Sequence, residues 1–82
     1  MGPASDNQRT AMRVHVSDSR CLGTLIDDLV RGGCVPAKVD DETVEVVHPA
    51  ASDADEAWTE LRFFLRAWQS RHPQIVVKLT VA

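Results

Sequence analysis

The chain contains no tyrosine and only two tryptophans and two phenylalanines. All four aromatics, Trp58, Phe63, Phe64 and Trp68, fall in one segment, which reads as a helix. Recognition of single-stranded RNA on a sheet, as in RRM domains, uses aromatics stacked along the central strands, which argues against an RRM reading. Positive charge is also scarce: 9 Lys and Arg stand against 12 Asp and Glu, a formal charge of -3. Phosphate-rich partners are met by a basic stripe, so neither nucleic acid nor an anionic membrane is expected as a partner. No apolar run approaches the roughly 20 residues that a bilayer span needs. No secretory signal is visible, and Asp6 stands where N-myristoylation needs serine or threonine. The expected location is cytoplasmic.

Only two cysteines are present, Cys21 and Cys34, and they form no CxxC. They flank a helix that rises about 16 Å between them. A disulfide needs Cα atoms within about 7 Å, so both are expected as free, partly buried thiols. His15, His48 and His72 show no ligand spacing with the cysteines. There is no glycine-rich phosphate loop and no activated-serine motif. No metal and no cofactor are expected.

What the chain does have is alternation. Residues 1–10 carry no periodicity and are rich in turn formers, which predicts a disordered leader before a single domain over 11–82. From Ala11 to Val16, Met12, Val14 and Val16 point one way while Arg13 and His15 point the other, as in a half-buried strand. Ser17 or Asp18 is placed to cap a helix whose apolar stripe is Leu22, Leu25, Ile26, Leu29 and Val30. Gly32-Gly33 stops it, and Gly23 inside it suggests close packing against a strand. Cys34–Val39 reads as a second strand with Val35, Ala37 and Val39 inward. Pro36 cannot donate to a ladder, which makes it an edge. After the polar turn Asp40-Asp41-Glu42, Thr43–Val47 is a third strand with Val44 and Val46 inward.

The second helix begins at Ser52 or Asp53, with Asp53 and Glu56 at capping-box spacing. Acids crowd its first turn and arginines its later turns, in accord with the helix dipole. Ala54, Ala57, Trp58, Leu61, Phe64, Leu65 and Trp68 share one face, leaving Phe63 exposed. His72-Pro73 ends it. Gln74–Val81 is the last strand, with Ile75, Val77, Leu79 and Val81 inward and Val76, Lys78 and Thr80 outward.

The order strand–helix–strand–strand–helix–strand predicts an α+β fold, the ferredoxin-like βαββαβ sandwich: a four-stranded antiparallel sheet in the order 4-1-3-2 with two helices on one face. An open sheet of another order is the alternative. With the first and third strands taken as parallel neighbours, their carboxyl ends and the amino ends of both helices share one rim. That gathers Ser17, Asp18, Ser19 and Cys21 near His48, Ser52 and Asp53, candidates for a small polar ligand; the plain alternative is that they are helix caps. His72 and Cys34 are expected at the opposite rim. On the open face His15 and Glu45 are the candidate catalytic pair, an imidazole oriented by a carboxylate; the plain alternative is a surface polar contact.

The stretch Val14–Val39, VHVSDSRCLGTLIDDLVRGGCVPAKV, resembles the opening of an ACT domain. That resemblance implies binding of an amino acid or similar effector, and pairing of subunits. The proline-glycine usual after the loop aspartate is replaced by Ser19-Arg20, with the glycine later at Gly23.

These readings converge on a non-enzymatic binding or regulatory module acting through self-association or a protein partner. A homodimer is expected through the last strand, with Val76, Lys78, Thr80 and Phe63 at the interface. The alternative is an ACT-like ligand-binding domain or small enzyme using the open face or the Ser17–Asp18/His48 rim.

Overall fold

The computed structural model describes residues 11–81; the segment read as a leader, 1–10, lies outside the described residues. Strand β1 (Ala11–Val16) buries Met12, Val14 and Val16 completely and exposes Arg13 and His15. Strand β3 (Thr43–Val47) does the same with Val44 and Val46. Strands β2 (Val35–Asp40) and β4 (Val77–Val81) complete one sheet in the order β2-β3-β1-β4. From the other edge this reads β4-β1-β3-β2, and every neighbouring pair is antiparallel.

Helix α1 (Leu22–Arg31) and helix α2 (Ala54–Arg71) supply Leu22, Leu25, Leu29, Ala57, Leu61, Leu65 and Trp68 to one core with the buried strand residues. The two helices therefore close one face of the sheet, and among the described residues nothing covers the other.

The first and third strands are antiparallel, not parallel. The crossover through α1 makes β2 parallel to β1, and the β2–β3 hairpin then reverses the chain, so β3 must oppose β1. The carboxyl end of β1 meets the start of β3 rather than its end: His15 lies opposite Thr43, and Ala11 opposite Val47.

Helix ends follow local chemistry. Asp53 caps α2 by accepting the Glu56 N–H at 2.8 Å, as its spacing predicts. The Glu56 carboxylate reaches one residue further back than in a standard capping box, accepting from the Ser52 N–H at 2.7 Å and from its hydroxyl. Asp18 caps a short 3-10 turn, Ser19–Cys21, rather than α1 itself. At the far end of α1, Gly33 takes a φ of +88°, and Gly33 and Cys34 donate to the carbonyls of Val30 and Leu29. This is a complete Schellman motif, and it turns Cys34 into the core against Leu29.

That turn overturns the expected facing of β2. Cys34 is buried and Pro36 half-buried, while Val35 and Ala37 look outward opposite Val47 and Glu45. The hairpin fixes Asp40 opposite Thr43, and the irregularity between Lys38 and Asp40 shifts the register by one residue. A slip of one residue exchanges the faces of a strand.

Other departures share one cause, a position at the rim of the layer. Val30 is 57 % exposed because α1 packs over β2 and β3, leaving its far flank without a neighbour. Ala54 is exposed in the first turn of α2, and Val81 is 66 % exposed at the end of an edge strand. Gly23 is not a close-packing position, since a Cβ there would meet nothing within 4 Å.

Phe63 is 66 % exposed, on the side of α2 away from the core, as its helical phase requires. Phe63→Ser is expected to shift stability by no more than about 0.5 kcal/mol. Thermal melts of the dilute protein check this, and a loss of several kcal/mol would contradict the helix register.

Candidate functional site

The candidate catalytic pair does not assemble. Register sets His15 opposite Thr43 and Arg13 opposite Glu45. The His15 Nδ1 lies 3.2 Å from the Thr43 Oγ1, and its Nε2 lies 3.7 Å from the Glu42 Oε1. Glu45 is instead engaged by Arg13, whose Nε stands 3.6 Å from its Oε2. Both contacts are half-exposed, Arg13–Glu45 a cross-strand pair and His15–Glu42 a contact between a strand and the β2–β3 turn, a common surface arrangement. Among the described residues nothing there encloses a substrate or excludes water.

The expected rim divides between the two ends of the sheet, because β1 and β3 run oppositely. At one end, Ser17, Asp18, Arg20 and Cys21 share a shallow open cleft with Arg71 and His72. Arg20 is turned onto Asp18, at 3.0 Å from Oδ2, and holds that carboxyl below its usual pKa. Ser19 is exposed in the 3-10 turn. His48, Ser52 and Asp53 lie at the other end, where the last two serve the α2 cap. There the Ser52 hydroxyl and N–H hold the Glu56 carboxyl below its usual pKa. His72 does lie at the end away from His48, but Cys34, expected beside it, sits at the His48 end because β2 starts where β3 finishes.

Both cysteines are free, and burial pushes the Cys34 thiol up. Among the described residues there is no cluster of three or more His, Cys, Asp and Glu placed to hold a metal ion. No helix among them is long and apolar enough to cross a membrane.

Comparison with known proteins finds no match: no family model, curated protein or solved structure is significantly similar to this chain.

The feature with a clear chemical capacity is the β4 edge, and its polarity comes from one residue that looks like a helix cap. Ser17 caps nothing. Its N–H donates to the Val76 carbonyl at 2.9 Å, and its Oγ accepts the Val76 N–H at 2.9 Å. Val76 therefore turns both backbone groups toward β1. Antiparallel pairing alternates, so Lys78 and Thr80, opposite His15 and Arg13, turn the same way. The N–H and C=O groups of Val77, Leu79 and Val81 point away from β1, to an edge that pairs with no other strand among the described residues.

Val76, Lys78 and Thr80, the expected interface residues, thus present only their side chains, on the open face. The backbone contacts available to another strand belong to the residues between them. Beside that edge, Val77 and Leu79 form a groove with Arg62, Leu65, Arg66 and Gln69 of α2. Phe63 stands on the outer wall with Thr59, Arg62 and Arg66.

Proposed function

We propose that this domain is a non-catalytic interaction module that takes a strand from another chain onto β4, extending a ferredoxin-like sandwich. The βαββαβ order, and the sheet order read from the β4 edge, support that fold assignment. The observation that carries the functional reading is the run Val77, Leu79 and Val81. Among the described residues, these leave three alternate sets of backbone donors and acceptors without a strand partner, on a strand with no proline or glycine and one charge, Lys78. The other edge carries Pro36 and an irregular register between Lys38 and Asp40, both of which discourage pairing. An open edge with exposed Val76 and Val81 is a template for β-augmentation.

Site-directed photo-crosslinking in the host cell tests this. A photoreactive phenylalanine at Thr80 is expected to yield protein adducts, whereas the same group at Thr24, on the exposed side of α1, yields none above background. Equal yields from the two positions would count against the edge.

A further inference from the structure

The cations of this acidic chain are unevenly used. Arg13, Arg20, Arg31, Lys38 and Arg71 each lie within 4.0 Å of a carboxylate. The remaining basic side chains among the described residues, Arg62, Arg66 and Lys78, form no ion pair. All three flank the β4 edge: Arg62 and Arg66 line the groove on the helix side, and Lys78 projects from the opposite face of the strand. Among the described residues, no acidic side chain lines that groove. Asp55 lies at a separate hollow with Ala54, Trp58, Met12 and Val81, beside the last residue of β4.

We infer that the segment added to β4 is an extended acidic peptide of a partner protein. This rests on the strand-addition reading and adds the chemistry of the occupant. Side chains of an added strand alternate between the two faces. Those on the helix side stand over Leu65, Val77 and Leu79 and reach Arg62 and Arg66, so they combine apolar groups with carboxylates. Those on the open side pass Lys78. Carboxylates on both sides supply counter-charges that the described residues of this chain do not provide.

A second copy fits the charges less well. Two β4 strands paired antiparallel about Leu79 would set Val77 against the partner's Val81 and Lys78 against the partner's Thr80, with no clash in the strands themselves. The same two-fold, however, lays α2 beside its mate on one face of the joined sheet. Arg62 and Arg66 then confront the same two residues of the partner copy, and like charges facing each other across an interface oppose it.

The test uses the full chain and three blocked nine-residue peptides of valine and threonine that carry Glu, Gln or Lys at the same three positions. Affinity is read by fluorescence anisotropy, and the bound site by amide exchange in NMR spectra. The Glu peptide is expected to bind at least about tenfold more tightly than the Gln peptide, to weaken as salt is raised, and to slow exchange at Val77, Leu79 and Val81. The double variant Arg62→Gln/Arg66→Gln, changed only at exposed positions, should lose that preference. Arg62→Glu/Arg66→Glu should transfer it to the Lys peptide. Glu and Gln peptides that bind equally while protecting the edge amides would overturn the acidic preference and leave strand addition standing. If no peptide protects those amides and the chain remains monomeric in sedimentation, both fail. A wild-type dimer that protects the same amides would support the edge and overturn the acidic partner.

Discussion

Replacing Trp68 with alanine is expected to cost about 3–5 kcal/mol, the range for truncating a large buried aromatic. Trp68 is 0 % exposed, the last of the buried residues on α2, in the helix's final turn. It also holds α2 to α1. Its indole N–H donates to the Asp28 Oδ2 at 2.9 Å, and Asp28 in turn faces Arg31 and Arg71. The His72 ring stacks on the indole, with centroids 4.0 Å apart and planes 17° from parallel, while its Nδ1 is 3.0 Å from the Trp68 carbonyl oxygen. The alanine variant therefore opens a cavity, removes the donor from a half-buried carboxylate and frees the end of α2. Domain stabilities are about 5–15 kcal/mol, so a loss of this size brings the protein near its unfolding threshold. Urea melts of wild type and Trp68→Ala measure it. Trp68→Phe should fall between the two, keeping much of the packing without the N–H. A loss below about 1 kcal/mol for the alanine variant would show that the core is centred elsewhere.

The part of this architecture legible in the sequence was the part set by strong contrast between faces. The middle of β1 and of β3 alternates between fully buried valine or methionine and polar Arg13, His15, Thr43 and Glu45, so their facing has one solution. Trp68 and Phe63 follow from helical phase for the same reason. On β2 the contrast is weak. Val35 and Ala37 are apolar yet sit on the open face of an edge strand, where burial does not select the facing and the hairpin register does. The candidate rim failed for a topological reason: with β1 and β3 antiparallel, Ser17 and His48 stand at opposite ends of the sheet. Capping spacing identified Asp53 correctly. It misplaced Ser17, because a serine after a strand looks the same whether it caps the next helix or bonds a segment far along the chain. The unpaired state of Arg62 and Arg66 has no local signature either. On α2 they read as ordinary complements to the helix dipole, and only the fold shows that no carboxylate among the described residues faces them.

The strand-addition reading depends on which residues of β4 turn their backbone outward, and two proline substitutions separate the alternatives. Proline at 76 removes the N–H that bonds to Ser17 Oγ. It also restricts Ile75, a core residue whose own N–H donates to the His72 carbonyl. Where proline removes a used donor in a fixed conformation it destabilises, and the loss is expected to be about 2 kcal/mol or more. Proline at 81 removes an N–H that points to the free edge, from a side chain already 66 % exposed. Its expected cost in the isolated domain is within about 0.5 kcal/mol. The order should reverse for binding: Val81→Pro keeps the fold and weakens attachment of a strand, because one of its three donors is gone. Chemical denaturation gives the first comparison and anisotropy with the Glu peptide the second. If Val81→Pro unfolds the domain while Val76→Pro leaves it intact, the alternation is displaced by one residue. The outward groups would then belong to Val76, Lys78 and Thr80, and the groove beside Leu79 would lie over bonds already made.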